Sequence, residues 1–464
     1  MTLLSALLLG ACTTTEVPGE PPASDGTGSG GNPSGGTAGA VSGGSASSGA
    51  GQAGLAGAAA ASASGANGGS ANGGGANGSG ANGGSANAGG ASGNAGTGGA
   101  GTGGAGTGGS AAGSGPVLGG PTGFASTAGH GLSTTSGGGN LAPSEVTTCD
   151  ALKKALEDAA PRVIELAAGA VLDCRGAPKT QQACELQCSK DAAQPVFWRV
   201  PVGDQTCTTL ADTNGDGTLD IPAGKLVNKS RTDFSIKVGS NKTLRGRGTG
   251  ATLKGVSLDI ETQSNVIIQN LRITEVNPDL IEAGDGITVN SSHHVWIDHC
   301  ELSMISDGYM DIRYDSSAVT VSHTHIVGKN PYVCGGQHHY VSLVSDSEVT
   351  FDHVFFDHAS GRNPKVSDAS RVHLYSNFYD GISYFCASAA AGAQVLVEGN
   401  SYRDSRYPHW ADGGTIEAKG NLYTGSTSTD HRDNTGKTFT PPYAYTLDAV
   451  NELATSIPSN AGPR

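Results

Sequence analysis

Three aspartates and one arginine carry the most chemistry in this chain, and all but Asp311 stand beside a glycine. "AGDGITV" places Asp285 in a Gly-rich turn, and "SDGYMDIRY" places Asp307 and Asp311 four residues apart. "GRNPKV" places Arg362 two residues before Pro364, with Lys365 and Arg371 close behind. Carboxylates gathered together repel, and a hard, oxygen-seeking cation such as Ca²⁺ removes that conflict. By spacing alone, three solvated turn aspartates fit the same pattern, and a lone arginine fits a surface ion pair. Which reading holds depends on whether the backbone brings these residues together.

A recurring phrase says how it could. "SNVIIQNLRI" begins at 264, "SHHVWIDHCEL" at 292, "SAVTVSHTHI" at 317 and "SEVTFDHVFF" at 347. "SRVHLYSNFY", "AQVLVEGNSY" and "GTIEAKGNLY" follow at 370, 393 and 414. The first aligned aliphatic falls at 266, 295, 319, 349, 372, 395 and 416, in steps of 21 to 30 residues. Each phrase alternates apolar and polar over about five residues, the pattern of a strand. A sandwich or barrel would turn every 8–12 residues, about half this interval. One strand per twenty-odd residues predicts a solenoid, an all-β parallel β-helix in which each coil adds a strand to a stack. Neighbouring coils would lie about 4.8 Å apart, so Asp285 can meet Asp307 and Asp311 although a coil separates them in sequence.

The stack accounts for residues that strand propensity does not. Asn377, Asn400 and Asn421 recur five places after the aliphatic, where their amides can form a hydrogen-bonded ladder. His299, His323 and His353 recur one place earlier; they read as stacked turn side chains, with a metal or acid–base cluster as the alternative. "CDALKKALEDAA" predicts an amphipathic helix capping the open N-terminal end of the coils.

The rest of the chain bounds the setting. It has 464 residues and a formal charge of −14, with no charged side chain between Asp25 and Glu145. Residues 13–140 read as a flexible Gly/Ala/Ser/Asn linker with too little apolar surface to offset ordering, leaving 141–464 as the folded domain. All Lys and Arg lie beyond the linker, 27 against 38 acidic residues. That balance excludes a nucleic-acid-binding face and makes an acidic polymer an awkward partner without a cation. Residues 1–12, "MTLLSALLLGAC", are too short to span a bilayer and predict a signal-peptide and lipobox region. Cys12 is then the acylated residue of an exported, surface-anchored or secreted bacterial protein. The other eight cysteines allow up to four disulfides, and residues 174–235 read as a Cys-containing insertion. "DTNGDGTLD" (212–220) has EF-hand-like oxygen spacing but Ala223 at the twelfth position, so it predicts a plain polar turn with a second Ca²⁺ as the alternative. "QHH" (337–339) reads as loop.

"VWIDHCELSMISDGYMDIRYDSSAVTVSH" followed by "GRNPKV" resembles polysaccharide lyase family 1, the extracellular pectate lyases, in the order of its WIDH, DGxxDI, VTVS and RxP phrases. The resemblance covers roughly residues 238–425. It implies a right-handed parallel β-helix, Ca²⁺ held by carboxylates, and cleavage of polygalacturonate by β-elimination to 4,5-unsaturated oligogalacturonides. It places Asp285, Asp307 and Asp311 on calcium-ligand positions, Arg362 on the catalytic base, and Lys329 near the substrate-binding lysine. Two positions depart from the family. Ala283 stands where a further acid is common, with Glu282 adjacent, and Ser367 replaces a second arginine. Lys365 and Arg371 are the candidates to supply that charge to substrate.

The implied chemistry is coherent. The C5 proton of a galacturonate is hard to remove because the adjacent carboxylate disfavours the carbanion; a bound cation neutralises it, and nearby positive charge stabilises the enolate-like transition state. Arginine's free pKa lies above about 12, so the expected activity favours alkaline pH. The expected protein is a monomeric lyase acting on pectin or polygalacturonate, with Ca²⁺ as cofactor. The alternatives are a lyase of the same fold on methylated pectin or another uronan, and a non-catalytic surface adhesin.

Overall fold

A computed structural model describes residues 119–188, 197–211, 217–219 and 224–464. Cys12, most of the linker and most of the EF-hand-like loop lie outside the described residues.

The described chain winds into a right-handed parallel β-helix. Three parallel sheets of ten, eight and nine strands run its length, each full coil giving one strand to each. One coil shows the pattern: Ile287–Asn290 joins the eight-stranded sheet, His293–Asp298 the ten-stranded and Glu301–Ile305 the nine-stranded. The aliphatics that mark the repeat are register partners, Val266 to Val295, Val319, Val349, Val372, Val395 and Ile416 in turn. All seven are fully buried. Alternate residues point inward, so a stack of like side chains fills the bore and fixes the register of every strand pair.

The turns are ladders too. Asn377 Nδ2 donates to Asn400 Oδ1 at 3.0 Å and Asn400 Nδ2 to Asn421 Oδ1 at 3.2 Å, while the Asn377 and Asn400 backbone N–H groups bond the same oxygens. Asn400→Ala therefore strips partners from several buried groups at once. It is expected to cost at least about 1–3 kcal/mol, read as a lower urea midpoint at unchanged m. His299, His323 and His353 stack as expected, their rings 4.6 and 4.8 Å apart and nearly parallel.

The capping helix is Cys149–Glu157, with Thr148 Oγ1 accepting from Ala151 N–H at 3.2 Å. Its Leu152 and Leu156 are fully buried against the first coil. Behind it, the wholly buried Lys242 donates to Asp158 Oδ1 at 3.0 Å and to the Asp158 carbonyl at 2.7 Å, which satisfies its charge. Three disulfides form among the described residues: Cys149–Cys174, Cys184–Cys207 and Cys188–Cys334. The fourth does not, because Cys300 and Cys386 are each buried as free thiols. The insertion is a three-stranded antiparallel sheet, Lys179–Gln187 flanked by Phe197–Pro201 and Lys225–Arg231. Cys188–Cys334 ties it to the loop that carries 337–339.

The linker boundary expected at residue 140 moves. Residues 122–138 cross the ten-stranded sheet as a strap: Phe124 N–H donates to Thr350 Oγ1, Ala125 N–H to Thr320 Oγ1 and Gly137 N–H to Asn265 Oδ1. Phe124 is 2% exposed. A Cβ on Gly138 would lie 2.1 Å from the Arg162 carbonyl oxygen, so only glycine allows this approach. No helix among the described residues is long and apolar enough to cross a membrane.

Candidate active site

The outward face of the eight-stranded sheet forms the floor of a groove. Thr288 pairs with Asp311, Leu343 with Lys365, Lys365 with Ser388 and Ser388 with Trp410, a row along the coil axis. The three aspartates gather at one point of it. Asp285 Oδ1 accepts from Gly308 N–H at 3.0 Å, the residue after Asp307, and its Oδ2 accepts from Thr288 Oγ1 at 2.9 Å. Asp311, 6% exposed, accepts from Leu343 N–H at 3.0 Å. A coiled backbone with a Gly-rich turn in each coil thus presents three carboxylates from two successive coils.

Electrostatics registers the crowding. Burial, then the charge of Asp285, pushes the Asp311 carboxyl up to about 7. Burial, then Asp285 and Asp311, drives Asp307 well above the usual carboxylate range, with Glu282 adding to it. Burial also raises Asp285 and Glu282. Arg362 opposes the charge on Asp307 and Glu282, while Arg313, and after it Arg362, opposes that on Asp311. The Arg362 guanidinium lies 4.7 Å from the Tyr340 ring, and its backbone is left-handed at φ 59°, held by Ser342 N–H donating to the Arg362 carbonyl at 2.8 Å. The same left-handed backbone recurs at turn residues of other coils, such as Asp346, His358 and Ala391, so it marks a corner of the coil.

Other expected residues divide. Lys365 stands on the groove floor in line with Asp311. Arg371 does not: it opens the strand Arg371–Tyr375 of the ten-stranded sheet and pairs with Glu348 one coil back. Six residues of chain carry it round a corner of the coil, off the groove. Lys329 is exposed, its backbone bridged to Gln337, and among the described residues no ion pair draws its side chain to the aspartates or Arg362. Sequence reading missed three others. Arg313 lies 3.8 Å from Asp311. Tyr340 backs Arg362. His338, from the stretch read as loop, is 1% exposed and bonds the Asp307 carbonyl through Nε2 at 2.8 Å. Burial lowers its imidazole to about 3, so it is neutral and fixes the Asp307 turn. Arg313 was legible as the outward residue two after Asp311; the other two lie in a stretch without periodicity.

Among the described residues, the donor groups converging within 4.8 Å are Asp298–His299–His323 and Asp357–His358–Asp380, both outside the groove. The groove aspartates are not among these groups; their oxygens instead accept from Gly308, Thr288 and Leu343. By donor type they are the oxygen ligands a hard divalent cation takes, with Arg313 and Arg362 as the positive charge nearby.

A sequence model of the pectate lyase family matches residues 214–464. The chain belongs to the pectate lyase family. Among curated pectate-lyase-family relatives, a probable pectin lyase F of Aspergillus flavus is 32% identical over 299 residues, 63% of this chain and 66% of that protein. Pectin lyase D of Aspergillus niger is 32% identical over 293 residues, 62% and 74% of the two chains. The chain thus spans just under two thirds of the first of these. Solved pectate lyases share the fold: one from Bacillus sp. N165 in complex with trigalacturonate superposes with TM-score 0.52 at 20% identity, covering 74% of this chain and 99% of that one. The thermostable pectate lyase PL 47 gives 0.52 at 17% identity, covering 73% and 96%. The bacterial surface location expected from the first twelve residues is corrected here, because the curated pectate-lyase-family relatives come from Aspergillus.

Proposed function

We propose that this protein cleaves galacturonan chains by β-elimination, with Arg362 as the base and Asp285, Asp307 and Asp311 as ligands of a divalent cation, Ca²⁺ by donor type. One arrangement supports the reading: Asp285 accepts from the N–H of Gly308 beside Asp307, Asp311 stands on the next strand of the same face, and the Arg362 carbonyl accepts from Ser342, the neighbour of Leu343 whose N–H bonds Asp311. When bound, the cation supplies neutralisation of the uronate carboxylate and Lewis-acid withdrawal of charge from C5. The neutral guanidine form of Arg362 takes the C5 proton and becomes guanidinium, the C5 electron pair forms the C4–C5 double bond, and the C4–O bond breaks with its oxygen protonated from water. Arg313 and Lys365 flank this spot on the floor and meet uronate carboxylates. His338 holds the Asp307 turn, and Tyr340 packs the Arg362 guanidinium so that it stays aimed.

The unsaturated product absorbs in the ultraviolet, so the assay is absorbance gain on polygalacturonate with Ca²⁺ or with chelator. Chelator-sensitive gain is the expected result, and no gain under any metal or pH condition rejects the lyase in favour of the adhesin. A second reading, action on methyl-esterified pectin, is supported by the names of the curated relatives and by two basic positions missing from the groove: Arg371 is elsewhere and position 367 is serine. Preference for highly methylated pectin, insensitive to chelator, is its signature.

A further inference from the structure

The nine-stranded sheet, away from the groove floor, carries a second gathering of reactive side chains. Phe356, Tyr379 and Tyr402 stack in the core of three successive strands. The residues after them, Asp357, Asp380 and Arg403, are register partners and point the other way, out of the coil. One coil back, the His325 ring stacks on Phe355 at 4.7 Å, and its Nε2 lies 3.4 Å from Asp357 Oδ2. His358 follows Asp357 in the chain and bonds Asp357 Oδ1 through Nδ1. One ligand atom each from Asp357, His358 and Asp380 lie within 4.8 Å of one another.

Each of these groups is held in place by something else. Arg403 donates to the two Asp380 oxygens at 2.8 and 2.6 Å. An ionised carboxylate offers about four lone-pair positions, so these bonds orient Asp380 without using it up. The His358 ring lies over Gly381, where a Cβ would come 2.8 Å from its Cδ2, so glycine makes room for the imidazole. Burial raises the Asp357 carboxyl, but His325 and His358 outweigh it and bring it to about 2, so it stands ionised. With both imidazoles neutral, Asp357 and Asp380 against Arg403 leave a net negative charge, which a dication offsets. The other convergent set among the described residues, Asp298–His299–His323, is spoken for. Asp298 is 1% exposed, and its oxygens already accept from Gln269, Ser322 and His299. Asp357, His358 and His325 are half-buried, within reach of a solvated ion.

We propose that Asp357, His358, Asp380 and His325 bind a divalent transition metal, Zn²⁺ by donor set, as a staple across three successive coils. Two imidazoles and two carboxylates make the four-coordinate N/O shell that zinc takes, whereas Ca²⁺ takes oxygen ligands. The proton that His358 shares with Asp357 leaves to water as the metal enters. The site touches no substrate. Its consequence is stability, and it stands apart from the lyase reading.

The test titrates zinc chloride into the full chain by calorimetry, with Ca²⁺ held at saturation so that oxygen-donor sites are filled. One saturable equivalent is expected, and Tm should rise as zinc is added. His358→Gln and Asp357→Asn should each weaken zinc binding by about tenfold or more, the least that loss of even a supporting group costs at a metal site. His325→Gln, at a half-buried ring, supplies an independent loss should either of the others fold poorly. Co²⁺ in place of zinc should give the parent the visible absorption of a four-coordinate ion, and His358→Gln should abolish it. Absence of saturable heat, or equal zinc affinity in the parent and all three variants, overturns the site. So does a loss that follows His299→Gln instead.

Discussion

Arg362→Ala is expected to lower kcat on polygalacturonate by about 10²–10⁴-fold, the range for loss of a positioned acid–base group, with KM changed far less. The Arg362 side chain acts on the proton in flight, so its removal is felt in the transition state more than in ground-state binding. The left-handed backbone at position 362 supplies a control. Arg362→Gly relieves strain that a side chain with a Cβ incurs there, about 1 kcal/mol or more. It should therefore unfold no earlier than Arg362→Ala, which loses the same positive charge, while being equally inactive. Loss of activity together with retained or raised Tm would assign the arginine to chemistry. Substantial activity in either variant would remove Arg362 from that role and leave the groove as a binding surface.

What the sequence made legible and what it hid have the same physical origin. A β-helix is read from its inward row, and that row is repetitive: the aliphatics from Val266 to Ile416 announce both the coils and their register. Gly284 and Gly286 around Asp285, and Gly308 after Asp307, announce where carboxylates leave the coil. Lateral position is harder. Lys365 and Arg371 are six residues apart yet belong to different sheets, since a corner of the coil lies between them, and closeness in sequence was mistaken for closeness on a surface. The strap was hidden for another reason. Residues 122–138 have nearly the composition of the tract before them, and they dock by lending backbone N–H groups to Thr320, Thr350 and Asn265, a contact written in the sheet more than in the strap. His338 and Tyr340 sit where Cys188–Cys334 pins a loop to the inserted sheet, and no period in their own segment marks it.

Removing one of the groove carboxylates should move stability and activity in opposite directions. Asp285, Asp307 and Asp311 press on one another in a poorly solvated spot, and each ionised member makes the others costlier. In the absence of metal, Asp307→Asn discards one such charge at nearly constant volume, so the chelated variant is expected to melt above the chelated parent. Added Ca²⁺ reverses the ranking. A ligand that binds only the folded state stabilises it by about 2.7 kcal/mol at a hundred times its Kd, and the parent gains this while the variant, one ligand short, gains little. Activity follows the metal, with kcat lower by about 10²-fold or more for the several kcal/mol that a bound Lewis acid contributes. Scanning calorimetry with and without chelator, run beside the ultraviolet assay, measures all three. If Asp307→Asn melts earlier than the parent in chelator, or shows the same calcium shift, the aspartates are a structural hydrogen-bond cluster, and the cation has no place in this groove.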